Sequence, residues 1–126
     1  MAYGLLILIM KYFFREDISK LNPKGTKWTK IEGNLSYISI GYFGVWGVNS
    51  KNEIFFRSGL NKINQKGEEW IRIDGKLNKI SVGKYGIFGL NENKEILYRK
   101  GINKFNFQGT EWIKIDGKLK DISVGE

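Results

Sequence analysis

Residues 28–49, WTKIEGNLSYISIGYFGVWGVN, decide the fold, because the chain returns to the same text twice. The second copy is WIRIDGKLNKISVGKYGIFGLN at 70–91 and the third is WIKIDGKLKDISVG at 112–125. Trp28, Trp70 and Trp112 stand 42 residues apart, as do Gly33, Gly75 and Gly117, and Ser39, Ser81 and Ser123. Aligned without a gap, residues 25–66 and 67–108 are identical at 18 of 42 positions, and 13 of the 17 residues of 109–125 match 67–83. Agreement of this kind at a fixed period marks an array of stacked structural repeats.

The array begins in mid-repeat. Shifted by one period, the FFR at 55–57 falls on the FFR at 13–15, so Arg15, Arg57 and Arg99 share a phase. The chain therefore divides into a degenerate partial repeat at 1–24, two repeats at 25–66 and 67–108, and a partial repeat at 109–126. All four pieces are expected to form one domain.

Inside a repeat the pattern is that of strands. LSYISIG alternates, with Leu35, Tyr37, Ser39 and Gly41 on one face and Ser36, Ile38 and Ile40 on the other. GVWGVN and EIFFRSG flank the polar turn Ser50–Asn52, which reads as a hairpin, and GIFGLN and EILYRKG repeat it around Glu92–Lys94. An outer strand follows around KWTKI, EWIRI and EWIKI, closed by an Asp/Glu-Gly turn. The strands predicted are 37–41, 44–49, 53–58, 68–73, 78–83, 86–91, 95–100, 110–115 and 119–124. Four short strands per 42 residues is the measure of a β-propeller blade, so the fold class is all-β, built of four-stranded antiparallel blades. Three repeats are too few to close a ring, which implies half of a six-bladed propeller. That half is completed either by a head-to-tail homodimer or by the remainder of a longer chain.

Composition narrows the function. The chain lacks Cys, hence disulfides and thiol nucleophiles, and lacks His, the commonest general base and metal ligand. Ser39, Ser81 and Ser123 therefore have no imidazole to activate them. Glu32, Asp74 and Asp116 resemble an acid–base set until their common phase is noticed: each precedes a glycine, one per repeat, so a turn explains all three. No metal-loop spacing occurs, and the glycines at 41, 44 and 47 have the wrong spacing for a dinucleotide loop. The reading is a binding protein without catalysis, cofactor or metal.

A net charge of +8 favours acidic partners. Basic and acidic residues are interspersed, which argues against nucleic acid. The candidate ligand-binding residues are Trp46, Asn49 and Arg57, with Phe88, Asn91 and Arg99 as a second copy. An aromatic face suits the C–H face of a pyranose, an amide suits sugar hydroxyls, and a guanidinium suits an anionic group. Each residue also has a structural reading: Trp46 and Phe88 as packing, Asn49 and Asn91 as turn caps, Arg57 and Arg99 as partners of the neighbouring blade's Asp/Glu-Gly turn. The expectation is that Trp46→Ala abolishes binding and leaves the fold intact, whereas Trp70→Ala unfolds the domain.

The motif W-x-x-I-x-G-x-L-x-x-I-S-V-G-x-x-G-V-W-G-V-N followed by I-x-x-R-x-G resembles the tectonin repeat. The resemblance covers 25–126 and weakens over 1–24. It implies a β-propeller and a lectin recognising surface glycans such as bacterial lipopolysaccharide, with a role in innate immunity. It also implies an alternative, an intracellular scaffold that binds protein or acidic lipid partners in membrane traffic or autophagy. The apolar run at 2–10 is read as a degenerate first strand, against a secretory signal and an apolar association surface. No basic segment precedes the run, no small-residue cleavage site follows it, and it is too short to span a bilayer. Cytoplasmic and secreted locations both stay open.

Overall fold

The computed structural model describes residues 9–10, 13–15, 20–30, 33–61, 63–64 and 66–125. Of the degenerate strand expected in the run at 2–10, residues 2–8 lie outside the described residues. Every regular element among the described residues is a strand. In chain order these are β1 (Ile9–Met10), β2 (Phe13–Arg15), β3 (Trp28–Lys30), β4 (Tyr37–Gly41), β5 (Gly44–Val48), β6 (Glu53–Arg57), β7 (Trp70–Lys76), β8 (Lys79–Gly83), β9 (Gly86–Leu90), β10 (Glu95–Lys100) and β11 (Glu111–Lys118). They form two four-stranded antiparallel sheets, β4-β5-β6-β7 and β8-β9-β10-β11, and one three-stranded sheet, β1-β2-β3.

Each four-stranded sheet is a blade. Two blades are complete, fewer than the three repeats the sequence counts, because repeats and blades are cut in different phase. The sheets run from 37 to 76 and from 79 to 118, so each crosses a boundary of the 25–66 and 67–108 division. The remaining repeat is split between the three-stranded sheet and the C-terminal segment.

Within a blade the hairpin between the second and third strands is set by one asparagine. Asn49 Oδ1 accepts from the Lys51 and Glu53 amides at 3.0 and 2.9 Å, and Asn49 Nδ2 donates to Glu53 Oε1 at 2.9 Å. Asn52 then takes φ +65°, the left-handed step that turns the chain back, and Asn and Asp tolerate it best among residues with a Cβ. Lys94 makes the same step at φ +64° under Asn91. Asn49 and Asn91 thus cap the turns.

Two expectations are corrected. The Asp/Glu-Gly pair is not a chain reversal at the end of the outer strand. β7 passes through it, pairing Ile73 with Ile54 and Lys76 with Glu53, so Asp74 and Gly75 bulge out of register. β11 repeats the bulge at Asp116 and Gly117. The strand expected at 119–124 does not form: among the described residues the segment enters no strand pairing. The segment still lies where an inner strand belongs: Val124 donates its amide to Ser81 Oγ at 2.8 Å, and Lys84 donates to the Gly125 carbonyl at 3.2 Å.

The core lies between the blades. Trp46, Val48, Ile54, Phe56 and Ile73 of one blade meet Leu77, Ile80, Val82 and Ile87 on the other, all buried. Trp46 is 0% exposed, contacts Phe56 and Trp112 edge-on at 5.3 and 6.2 Å, and donates Nε1 to the Phe43 carbonyl. Trp112 crosses to the preceding blade, donating Nε1 to the Asp74 carbonyl at 3.0 Å. A Cβ on Gly75, which holds φ +108°, would stand 3.0 Å from Trp112 Cδ1, so the bulge must be glycine for the indole to seat. Ser39 Oγ accepts the Val82 amide of the next blade at 3.0 Å, and Ser81 repeats the contact to Val124.

Deleting the Trp46 or Trp112 ring removes the centre of this interface. Trp46→Ala is expected to destabilise the domain by about 3–5 kcal/mol, and Ser39→Ala, which orphans the Val82 amide, by about 1–3 kcal/mol. Denaturant unfolding of the purified variants checks both values.

Candidate functional site

The six residues singled out from the sequence are drawn into the blades and employed there. Trp46 has no accessible face, so in this conformation it presents nothing for a sugar to stack on, and the expectation that Trp46→Ala spares the fold is withdrawn. Phe88, its counterpart, is half-buried and packs on Tyr98 at 5.1 Å. Asn49 and Asn91 hold the hairpins.

Arg57 and Arg99 are buried, at 8% and 6% exposure. Their Nε atoms donate to the Lys66 and Gln108 carbonyls at 2.9 and 2.8 Å, and the guanidinium carbons lie 5.2 and 5.1 Å from the Trp70 and Trp112 ring centres. Burial lowers the Arg99 pKa, while Asp74 on the preceding blade and Glu111 favour its charge. The arginine thus joins the carbonyl of its own blade's long loop to the tryptophan of the outer strand. Its proximity to the preceding blade's Asp-Gly bulge is the structural alternative raised by the sequence.

What is open is a polar cleft at the hairpin end of the two blades. It measures about 360 Å³ and is lined by Lys51, Asn52, Lys76, Asn91, Glu92 and Asn93. The turn of one blade forms one wall, the turn of the next forms the other, and Lys76 rises from the strand between them. The Leu77 amide donates to the Asn52 carbonyl at 2.9 Å, which ties the connecting segment to the first turn. The size falls within the range of small-ligand sites, and the lining offers two ammonium groups, three amides and one carboxylate. Asn91 is the member of the sequence-derived set that reaches it.

Sequence reasoning missed the other five because four of them, Lys51, Asn52, Glu92 and Asn93, are not repeated, and Lys76, which recurs as Lys118, lies outside the hairpin that supplied the candidates. One period separates Lys51 from Asn93 and Asn52 from Lys94, so each position changes identity from blade to blade. A search for periodic residues finds what builds a blade and passes over what differs between blades. The available signal was negative: polar turn residues that the repeat does not hold constant.

Near the cleft the acidic groups are tied down. The Asn49 amide holds the Glu53 carboxyl below the usual carboxylate range; burial opposes it, and Arg72 and Lys51 add to the lowering. Lys114, then Asn91, do the same for Glu95. Because both folded pKa values are depressed, these contacts stabilise fully above the ordinary Glu pKa and are lost as pH falls through the lowered values. Asn91→Ala should abolish the Asn91–Glu95 contact, remove the acceptor of the Asn93 and Glu95 amides, and lower the unfolding midpoint at neutral pH. It should also move the Glu95 pKa back toward the ordinary range, which carboxyl-resolved NMR titration reads directly.

The comparisons with known proteins agree with this architecture. No curated protein matches the chain. The family model described as the Tectonin domain matches residues 9–126, a span that takes in both complete blades, the three-stranded sheet and the C-terminal inner segment. The match covers nearly the whole chain, and its repeat is the one that builds the blades: the chain belongs to the tectonin-domain family.

Proposed function

We propose that the protein is a non-catalytic lectin of tectonin type. It takes acidic or phosphorylated glycans, of which bacterial lipopolysaccharide is the type case, and so serves recognition of bacterial surfaces. The observation that carries the reading is the inter-blade cleft, where Lys51 and Lys76 stand among the amides of Asn52, Asn91 and Asn93. Amides exchange donor and acceptor with sugar hydroxyls, and paired ammonium groups select for a phosphate or carboxylate on the same glycan. Sites of this kind are weak singly. A ring of blades that repeats them gains affinity through effective concentration.

The same reading includes a homo-oligomer or a longer propeller. Among the described residues, the sheet β1-β2-β3 has no innermost strand, and the segment 119–125 lies in the place of an inner strand without a sheet of its own. A head-to-tail neighbour would place one against the other, and propellers need four or more blades to close.

Calorimetric titration with lipopolysaccharide and with its dephosphorylated form tests the site. The combined Lys51→Gln and Lys76→Gln variant is expected to weaken binding of the phosphorylated form about tenfold or more, with little change toward the neutral one. Equal loss for both ligands, or none, contradicts the assignment. For assembly, light scattering is expected to show a species of at least twice 14.6 kDa. A stable monomer contradicts that part alone.

A further inference from the structure

The end of the blades opposite the cleft carries a second periodic feature. The three most exposed large apolar side chains among the described residues are Leu21 at 98%, Ile63 at 98% and Phe105 at 88%. They stand 42 residues apart, at the same place in the long loop between the third and outer strands of each sheet. The tips read SKLN at 19–22, NKIN at 61–64 and NKFN at 103–106, so a lysine precedes the apolar residue each time.

These tips are held out by design of the loop. Asn61 Oδ1 accepts the Ile63 and Asn64 amides at 2.8 and 2.7 Å, and Asn103 Oδ1 accepts those of Phe105 and Asn106 at 2.8 and 3.1 Å. Asn64 and Asn106 then donate to the Gly67 and Gly109 carbonyls, both at 3.2 Å. In the 102–109 loop Phe107 also packs inward on Phe43 of the neighbouring blade at 5.8 Å, edge to face, where the other two loops have Pro23 and Gln65. That loop therefore buries one aromatic residue and keeps a second one outside. Nor is exposure an effect of a missing neighbour, since Phe105 stays 88% exposed with the complete preceding blade, on which its own loop packs, in place.

Charge supports the same direction. The segments 18–25, 60–67 and 102–109 contain Lys20, Lys24, Lys62, Lys66 and Lys104 and no acidic residue. At Phe105 the Lys104 ammonium lies 5.1 Å from the ring centre. We propose that this end of the propeller docks on an anionic lipid bilayer, each blade inserting one apolar side chain between headgroups while its lysines meet lipid phosphates and carboxylates. A protein partner would call for a contiguous apolar patch, whereas single apolar residues on separate loops suit a surface that closes around each one. Repetition turns three weak anchors into one stable attachment. Because β6 and β10 run from the cleft end to the loop end, docking here leaves the glycan cleft facing away from the membrane. The inference does not rest on the lectin reading.

Flotation of the full chain with glycan-free vesicles tests it. One set is phosphatidylcholine alone, and the other is an equal mixture of phosphatidylcholine and phosphatidylserine. The protein should float with the mixture and stay behind with phosphatidylcholine. The triple variant Leu21→Ser, Ile63→Ser, Phe105→Ser should lose about tenfold or more in partitioning while keeping its β circular dichroism, and Lys20→Gln with Lys104→Gln should lose several-fold. Phe105→Ser alone, at about a threefold loss, serves if the triple variant does not fold. The proposal is overturned if the wild-type chain ignores the mixed vesicles, binds both sets equally, or floats as well after the apolar tips are removed.

Discussion

Everything in this fold depends on one blade seating an indole in the backbone of the blade before it. Trp112 reaches over Gly75 and donates to the Asp74 carbonyl, and the same geometry puts Trp70 against Gly33. The contact requires the outer strand to bulge, the bulge to be glycine, and the tryptophan to be held in place by the arginine over its face. Each requirement recurs after 42 residues, which is why the period is so visible. A blade on its own would leave Trp46, Ile54 and Val48 facing water, so the hydrophobic stabilisation belongs to pairs of blades rather than to single sheets.

That arrangement sorts the residues into two classes. Those held constant between repeats serve the joint: tryptophan, arginine, serine, the asparagine cap and the bulge glycine. Those left free to vary lie at the blade ends, where the chain meets solvent. The cleft between turns 49–52 and 91–94 takes Lys51, Asn52, Glu92 and Asn93 from the second class and sets them beside the Asn91 cap and Lys76. The loop tips are intermediate, constant in character but not in identity, with leucine, isoleucine and phenylalanine in turn. A surface that needs only an apolar protrusion permits that substitution, whereas a packed core position does not.

The sequence disclosed the period, the strand count and the position of most strands, because alternation and polar turns are local signals. It misjudged features that depend on a partner one repeat away. In the sequence Ser39 is only a serine without a histidine, since the amide it receives belongs to Val82, 43 residues on. Trp46 could be read as core or platform with equal reason until the neighbouring Trp112 was seen against it. Residues 119–124 carry the right strand pattern, but a strand exists only through its pairing. Of the cleft only Asn91 was legible, since its walls come from two repeats and four of its six residues, Lys51, Asn52, Glu92 and Asn93, do not recur.

The central claim is that neighbouring blades hold one another folded, and native-state hydrogen exchange tests it most directly. The account predicts that amides at the centre of both blades, among them Trp46 in β5 and Ile87 in β9, exchange with a single opening free energy equal to that of global unfolding. The Val82 amide, whose acceptor is Ser39 Oγ on the other blade, should share it. Two separate opening energies, one for residues 37–76 and a distinct one for 79–118, would show that the blades stand independently and would contradict the account.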